Sequence, residues 1–472
     1  MSDGTDRPAG VPVADGGSDA AMAWAASGAM WLTGHPNGPP LSPAAAVVPA
    51  LEAVAEELSG LAAAGGHGMQ VDVGTLLSGR AALRGLGRRG RTSANGSCRL
   101  LPVADGWVAV NLARPTDVEA VGALIGRTVD GDPWAVLERA AAGLPSDVLI
   151  ERAALLGVPA AVLPAGRSRS PAGSGDTGGG TGSPTPGHRP PYVVHQLGEP
   201  DAEPPMRPPL VVDLSAMWAG PLCAHLLGRA GMRVVKIEST RRPDGARAGH
   251  PGFFDWLHGG HDSVALDFST STGRDALAQL VARADVVLES SRPRALRQLG
   301  IDAATVLAAR PGTTWISITG YGREGADGDR VAFGDDAAAA AGLVAHDHEG
   351  LPVFCGDAIA DPITGLFAAL AALRSQAAGG GRLVEVTMVG AVSAALATPV
   401  PAVAAHRLPD RGWAVHTAAG SWHPVVRPRA PGAAALATPA RPPGADTSAY
   451  LRAAPSTTSA PGGSLAGRSS PQ

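Results

Sequence analysis

Between residues 209 and 424, short apolar runs alternate with segments whose apolar positions recur every three or four residues. The stretch "LVVDLSAMWAGPLCAHLLGRAGMRVVKIE" (210–238) predicts a strand, a turn, a helix and a second strand. "DSVALDF", "DVVLES" and "TTWISITGYG" predict further strands, and "GRDALAQLVARA" and "PRALRQLG" predict helices between them. Such alternation predicts an α/β fold built on a doubly wound, parallel sheet.

Low-complexity segments divide the rest of the chain. Residues 1–20 are polar and predict a disordered N-terminus, and residues 166–208 are rich in Gly, Ser and Pro and predict a linker. From residue 425 to 472, Pro, Ala, Ser and Thr dominate and predict a mostly flexible tail. Two folded units are therefore expected, over 21–165 and 209–424.

Segments of these two units are similar in sequence, and we call this similarity the internal repeat. "ASGAMWLTGHPNGPPLSP" (26–43) is similar to "AAGLVAHDHEGLPVFCG" (340–356), and "AAAGGHGMQVDVGTLLSGRAAL" (62–83) is similar to "QAAGGGRLVEVTMVGAVSAAL" (376–396). Chance similarity in a chain rich in Ala and Gly is the alternative to a diverged repeat. If Pro40 is matched with Pro352, the counterpart of Asp361 falls at or near Pro49, so the first copy lacks that acid.

Charge and composition exclude several classes of protein. The formal net charge is -4, which argues against a general nucleic-acid binder. Lys236 is the only lysine, so an anion site must use arginines and backbone N–H groups. The three cysteines are far apart and match neither a metal site nor a disulfide framework. No apolar run reaches membrane-spanning length and the start has no leader pattern, which predicts a cytoplasmic protein.

The stretch "GDAIADPITGLFAALAAL" (356–373) carries two acids, Asp357 and Asp361, just before a helical pattern. Asp361 with Pro362 fits a helix N-cap followed by proline in the first turn. A carboxylate in this position can also act as a nucleophile, and both roles can coexist. Asp357 is expected to be a solvated or capping acid. The first βα turn, "SAMWAGPLCAH", lacks the G-x-G-x-x-G spacing of a nicotinamide site.

These motifs together resemble the family III CoA-transferases, the group with formyl-CoA transferase, carnitine CoA-transferase and α-methylacyl-CoA racemase. The resemblance covers about 209–397 and depends on the strand–AGP–helix–strand unit ending in "KIE", on "DVVLESSRPR", "WISITGYG" and "DPITG". It implies a Rossmann-like sheet with a second, smaller α+β domain. "LLPVADGWVAVNLARPTDVEAVGALIG" (101–126) resembles the family's small-domain segment, so 21–165 is expected to be a partial unit of the same family.

The resemblance implies that Asp361 is the catalytic nucleophile of a CoA transfer from a thioester to a carboxylic acid. The covalent intermediates would be an aspartyl anhydride and an aspartyl-CoA thioester, held by N–H groups of a helix N-terminus that also keeps Asp361 ionised. Gly365 would leave room for the thioester. Coenzyme A would be a substrate, with no metal and no other cofactor. Its binding residues would be Ala216, Met217, Trp218, Ala219, Arg241, Arg247, Ser290, Ser291, Arg292 and Arg294, with the Trp218 ring against adenine or pantetheine.

The resemblance also leaves alternatives open. The racemase branch has G-H-D where this chain has "FGDDAAAA", so Asp335 replaces the histidine that handles the α-proton, which disfavours a racemase or isomerase. "LHGGHDS" (257–263) replaces a basic strand entry, and a non-catalytic CoA-binding subunit is the second alternative. Family members form homodimers, and a homodimer without nucleic-acid or membrane partners is expected here.

Overall fold

A computed structural model describes residues 16–164, 189–201, 207–409, 412–417 and 420–452. Residues 1–15 of the predicted disordered N-terminus, most of the predicted linker and the end of the predicted tail lie outside these ranges, whereas residues 16–20 belong to a helix. None of the helices within them is long and apolar enough to cross a membrane.

Helices and strands alternate through most of the described chain. The strands are β1 Cys98–Val103, β2 Gly106–Asn111, β3 Ala160–Val162, β4 Tyr192–Gln196, β5 Leu210–Asp213, β6 Arg233–Ser239, β7 Asp262–Leu266, β8 Val286–Glu289, β9 Thr314–Thr319, β10 Val344–His346, β11 Pro352–Phe354, β12 Arg382–Thr387, β13 His406–Leu408, β14 Gly412–His416 and β15 Trp422–Pro424. The helices are α1 Gly16–Ala26, α2 Val47–Ala64, α3 Val73–Arg84, α4 Pro115–Glu119, α5 Val121–Ile125, α6 Pro133–Ala141, α7 Ser146–Leu156, α8 Ala219–Arg229, α9 Pro251–His258, α10 Ser271–Val281, α11 Pro293–Gln298, α12 Ala303–Ala309, α13 Gly334–Ala340, α14 Ala360–Ala377, α15 Met388–Ala395 and α16 Thr447–Arg452. Short 3₁₀ turns span Met30–Leu32, Gly245–Ala248, Gly325–Asp329 and Ala433–Leu436.

The largest sheet has seven strands in the order β4-β12-β9-β8-β5-β6-β7. All neighbouring strands are parallel except β4, which pairs antiparallel with β12. The mixed α/β fold predicted from the sequence is therefore present, with a mostly parallel sheet. β4 lies inside the segment that composition assigned to the linker. Its residues 192–196 form a strand because the exposed edge of β12 supplies the hydrogen bonds.

Both faces of this sheet are covered, which explains why its strands are almost continuously apolar. Val211 and Ile316 belong to one hydrophobic cluster, whereas their neighbours Val212 and Trp315 belong to a second. Successive side chains of a strand point to opposite faces, so the two clusters lie on opposite sides of the sheet. Helices α8 and α14 supply the first cluster, and α10 and α12 supply residues of the second.

Only the second part of the segment before the predicted linker has a hydrophobic core of its own. Residues between Trp24 and Leu77 share the first cluster with residues 211–425, and α2 packs against α14. A smaller unit follows, in which the antiparallel strands β1, β2 and β3 pack with α5, α6 and α7 around a separate cluster. The predicted tail also contributes, since Tyr450 is buried and Asp446 accepts a hydrogen bond from Ser263 N–H.

The matched segments of the internal repeat form similar helices but do not form similar strands. Helices α2 and α14 each have 18 residues, and Pro49 and Pro362 are the third residue of each. Counted from the helix starts, the counterpart of Asp361 is therefore Val48, one residue before the expected position. "VEV" (384–386) lies in β12, whereas the matching "VDV" (71–73) leads directly into α3.

The close packing of α14 on α8 depends on Gly365. A methyl group on Gly365 would lie 2.6 Å from the Ala219 carbonyl oxygen and 3.0 Å from Leu222 Cβ. The space beside Gly365 is therefore filled by α8, and the expectation that it leaves room for a thioester is wrong.

Replacing Gly365 by alanine is expected to destabilise the protein by about 1–3 kcal/mol, because backbone atoms must move to remove the clash. Urea unfolding measures this loss. The matched control is Gly60→Ala in α2, where the added methyl group meets nothing within 4 Å. There the better helix propensity of alanine should stabilise the protein by up to about 1 kcal/mol. Equal effects of the two substitutions would contradict this packing.

Candidate active site

Asp361 is the second residue of α14, directly after a tightly bent segment. The helix has Ile359 as its N-cap, with no side-chain cap bond, so the prediction that Asp361 is the N-cap is wrong. Ala358 has φ +44°, a left-handed conformation that is costly for a residue with a side chain. Its N–H donates to Asp335 Oδ1 at 2.8 Å, which helps to hold this bend.

Three chain segments meet around the Asp361 carboxylate. It accepts a hydrogen bond from the N–H of Ala219, the first residue of α8. Gly334, the first residue of α13, comes so close that a methyl group there would collide with Asp361 Oδ2 and with the Ala358 carbonyl. Asp361 therefore lies where the starts of α8, α13 and α14 converge.

A buried ion pair lies beside this point. Arg80 of α3 donates from Nε to Asp357 Oδ2 at 2.8 Å and from Nη2 to Asp357 Oδ1 at 2.6 Å. The Asp357 side chain is fully buried, so the prediction of a solvated or capping acid is wrong. The Arg80 guanidinium also lies 4.6 Å from the centroid of the Trp218 ring. The unit before the predicted linker thus contributes a charged group to the surroundings of Asp361.

Two further acids on α13 are buried and are held by amides of the same early segment. Asn95 Nδ2 donates to Asp335 Oδ2 at 2.9 Å, and Asn111 Nδ2 donates to Asp336 Oδ1 at 3.0 Å. Together with Asp357 and Asp361 they form a set of acids that we call the acid cluster, beside the cation of Arg80. Burying several carboxyl groups next to one cation favours protonation of some of them.

Burial raises the pKa of three acids of this cluster, Asp335, Asp336 and Asp361. It raises the pKa of Asp361 to about 7, against the lowering effect of Arg80 and with an added raising effect of Asp335. Burial likewise raises the pKa of Asp335 to about 6 and that of Asp336 to about 7. The helix N-terminus therefore keeps Asp361 only partly ionised at neutral pH, because the loss of hydration outweighs the Ala219 N–H.

This pKa predicts the pH dependence of any reaction in which Asp361 is the nucleophile. Only the ionised carboxylate attacks, so kcat/KM should rise with pH around a midpoint of about 7. Asp335→Asn removes a neighbouring negative charge and should move the midpoint to lower pH, whereas Asp275→Asn on the surface of α10 should not move it. A profile that falls with rising pH over this range would contradict a nucleophilic carboxylate.

The turn between β5 and α8 contains four of the predicted CoA-binding residues. Ala216 and Met217 are exposed, and the Ala216 N–H donates to Ser290 Oγ at 3.2 Å, which joins this turn to the loop after β8. Trp218 is buried and makes an edge-to-face contact with Phe253 at 5.3 Å between ring centroids. Its ring is therefore already covered, and the expectation that it packs against adenine or pantetheine is wrong.

The arginines predicted to bind CoA differ in their exposure and in their ion pairs. Arg247 is held by Glu238, with Nη2 at 2.5 Å from Oε2, and lies over the Phe254 ring. Arg241 and Arg294 are exposed and make ion pairs with Asp267 and Asp329. Ser291 and Arg292 lie at the start of α11, where Arg292 is the exposed N-cap residue. The structure thus places Ala216 next to Ser290 and Ala219 next to Asp361. Arg247 instead forms an ion pair with Glu238 that stabilises the fold.

Sequence reasoning missed Arg80, Asn95, Asn111 and a buried lysine. Lys236 Nζ contacts Asp244 at 2.9 Å and the Ser215 carbonyl, and Asp244 accepts the Met217 N–H at 3.0 Å. This network fixes the backbone of the β5–α8 turn. The only lysine of the chain, inside an apolar strand, was the available signal, because a buried lysine needs partners. The residues that the structure describes contain no cluster suited to a metal ion, and Cys98, Cys223 and Cys355 are buried free thiols.

Comparisons with known proteins agree with the resemblance. Residues 209–424 match the model of CoA-transferase family III. The chain is 29% identical over 204 residues to the succinyl-CoA–D-citramalate CoA-transferase of Chloroflexus aurantiacus, covering 40% of this chain and 51% of the relative. It is 27% identical over 217 residues to the succinate–glutarate CoA-transferase of Agrobacterium fabrum, covering 42% and 54%.

Among solved structures, a CaiB/BaiF family protein from Brucella suis is similar, with 25% identity, 45% of this chain and 66% of that chain covered, and a TM-score of 0.40. The chain spans about half the length of the curated relatives it matches. The resemblance inferred from the sequence is confirmed for residues 209–424, which match the CoA-transferase family III model and are similar to proteins named CoA-transferases.

Proposed function

We propose that this protein is an acyl-CoA:carboxylate CoA-transferase with Asp361 as its nucleophile. The observation that carries the proposal is the position of the Asp361 carboxylate inside the family-matched segment, beside the Ala219 N–H and the exposed Ala216–Met217 turn. The relatives are named for transfers that involve succinyl-CoA and short dicarboxylic acids, which makes succinyl-CoA a suitable first donor.

The proposed reaction proceeds without a redox change. An Asp361 oxygen attacks the thioester carbonyl, the C–S bond breaks, and CoA leaves as a thiolate from a mixed anhydride. The thiolate attacks the aspartyl carbonyl, which releases the donor acid and gives an aspartyl-CoA thioester. The acceptor carboxylate displaces CoA to form a second anhydride, and the thiolate then attacks the acceptor carbonyl and restores Asp361.

The surroundings of Asp361 suit these steps. Asp361 is half-buried, so a substrate can reach it, while the partial loss of hydration strengthens its interactions with fixed charges and dipoles. Arg80 favours the ionised form of Asp361. The N–H groups at the start of α8 can donate hydrogen bonds to the negative charge that develops on the carbonyl oxygen.

Coenzyme A is proposed to bind along the turn 216–219 and the loop at 290–294, with Arg241, Arg292 and Arg294 facing its phosphates. Support comes from the Ala216–Ser290 hydrogen bond and the exposure of these arginines. A Rossmann-like, doubly wound sheet is inferred from its strand order and the clusters on both faces. A homodimer, a cytoplasmic location and the absence of a metal or further cofactor remain predictions.

To test the proposal, the protein is incubated with succinyl-CoA and a panel of dicarboxylic acceptors. Intermediates are trapped with hydroxylamine and identified by mass spectrometry. Turnover together with a hydroxamate on Asp361 supports the proposal. Exchange of the α-hydrogen of an acyl-CoA with solvent, without transfer, would instead indicate racemase chemistry. Binding of CoA with neither reaction would indicate a non-catalytic subunit.

A further inference from the structure

A cavity away from the acid cluster is lined by three arginines. It lies between the 3₁₀ turn Met30–Leu32 and the sheet of β13, β14 and β15, and has a volume of about 540 Å³. This volume lies within the range of sites for small molecules, roughly 300–1,000 Å³. The side chains that define its chemistry are Arg88, Arg407, Arg427, Trp31, Trp413 and Asn37.

The positive charge in this cavity is not neutralised by carboxylates among the described residues. No Asp or Glu lines it, and neither Arg407 nor Arg427 has an ion pair with a described residue. Arg88 donates only to neutral carbonyls, from Nε to His35 at 2.8 Å and from Nη2 to Gly38 at 2.9 Å. Asp410 and Arg411, which lie between β13 and β14 in the sequence, are outside the described residues. Like charges brought together in this way favour binding of an anion.

Trp31 and Trp413 hold two of the three arginines in position. The Arg427 guanidinium lies 4.5 Å and the Arg88 guanidinium 5.3 Å from the centroid of the Trp31 ring, and Arg88 is also 5.9 Å from that of Trp413. Stacking of this kind fixes the plane of the Arg427 guanidinium and leaves the N–H groups at its edge available. The N–H groups of Arg88 already donate to the carbonyls of His35, Trp31 and Gly38, so Arg88 contributes its charge. A ligand would then be recognised through the edges of Arg407 and Arg427, which match phosphate oxygens in pairs.

A second cavity extends this positive surface. It has a volume of about 410 Å³ and is lined by Arg89, Arg91 and by His35, whose Nε2 contacts Asp347 at 2.9 Å, while the neighbouring Pro36 lines the first cavity. Its remaining arginine, Arg99, is neutralised by Glu138 at 2.6 Å. The two cavities therefore lie on either side of one short loop in a protein whose net charge is -4.

We propose that the first cavity is a binding site for a small anion that carries two or more phosphate groups. Three arginines in one small cavity need more than one negative charge for balance, which favours a diphosphate over a single carboxylate. The size of the cavity and the negative net charge of the chain favour a small molecule over a nucleic acid. The ligand is either a free diphosphate compound or the diphosphate part of coenzyme A, in which case this cavity takes the place of Arg241, Arg292 and Arg294 in holding the diphosphate. The proposal does not rest on Asp361 or on the residues at 216–219 and 290–294.

The test is isothermal titration of the full chain with inorganic pyrophosphate at low and moderate salt. Arg407→Gln and Arg427→Gln should each weaken binding by roughly tenfold, because each loses a charge-assisted hydrogen bond. Binding should also weaken as salt is added. The matched control is Arg139→Gln, an exposed arginine of α6, which should bind like the parent. Arg88 is not replaced, because it also ties down the loop at 35–38.

Competition with CoA distinguishes the two sources of the ligand. Displacement of pyrophosphate by CoA, with CoA affinity lowered in an Arg407→Gln/Arg427→Gln double variant, assigns the cavity to the phosphates of CoA. Pyrophosphate binding that CoA does not displace assigns it to a free diphosphate compound. Absence of pyrophosphate binding, or equal binding by the double variant with an unchanged melting temperature, would overturn the proposal.

Discussion

Asp361→Asn is expected to lower the rate of CoA transfer from succinyl-CoA by about 10⁴-fold or more, a loss typical of removing a covalent nucleophile. Asn has nearly the shape of Asp but cannot form the anhydride. The hydroxamate at position 361 should disappear with the activity. The matched control is Asp275→Asn, which makes the same chemical change on the exposed surface of α10 and should keep full activity.

Stability measurements separate this chemical effect from misfolding. Burial raises the pKa of Asp361 to about 7, which means that the fold disfavours its charged form. Above this pH the neutral Asn should therefore be tolerated at least as well as the parent carboxylate. Urea unfolding at pH about 8 should show no loss of stability in Asp361→Asn. Unchanged turnover by a folded Asp361→Asn variant would rule out the proposed nucleophile.

The parts of the fold that could be predicted are those with a strong local signal. Strands β5, β6, β8 and β9 are short apolar runs buried on both faces, and α8 begins where Pro221 follows Ala219 and Gly220. By contrast, β4 lies in a segment rich in Pro and Gly and becomes a strand only through pairing with β12. Such pairing depends on residues almost 200 positions away, which local patterns do not contain.

The residues of the candidate site likewise divide into those with a local sequence signal and those placed only by long-range packing. "DPITG" and the β5–α8 turn identify Asp361 and its neighbour Ala219 from the sequence. The partner of Asp357 could not be found in this way, because Arg80 lies in a different unit and has no distinctive motif. The partial ionisation of Asp361 could not be predicted either, for a related reason. It depends on how deeply α8, α13 and α14 bury the carboxyl group, which is a property of packing.

The second large effect is expected for Arg80→Gln, which should destabilise the protein by about 3–5 kcal/mol. The substitution leaves the fully buried Asp357 carboxylate without its cation, and an uncompensated buried charge is costly. Urea unfolding at neutral pH measures the loss. A double variant, Arg80→Gln/Asp357→Asn, removes both charges and should recover a large part of it. The recovery would show that the cost comes from the orphaned charge rather than from lost packing of the arginine stem.

The chain offers a control with similar geometry on its surface. Arg374 also makes a two-point contact with a carboxylate, Glu57, through Nε and Nη2 at 2.6 Å, but both side chains are more than two-fifths exposed. Because water and salt screen that pair, Arg374→Gln should cost about 1 kcal/mol or less. A loss for Arg80→Gln as small as that for Arg374→Gln would contradict the buried ion pair.

Arg80→Gln should also change the chemistry, which a purely structural ion pair would not do. Arg80 lowers the pKa of Asp361, so its loss should move the rising limb of the kcat/KM profile to higher pH. The Arg80→Gln/Asp357→Asn variant, which recovers stability, allows the profile to be measured on a folded protein. Asp357 raises the pKa of Asp361 less than Arg80 lowers it, so the limb of the double variant should still move to higher pH, by less than in Arg80→Gln. A displaced limb in that variant would mean that the unit before residue 165 takes part in the reaction centred on Asp361. An unchanged limb would restrict Arg80 to holding Asp357 in place.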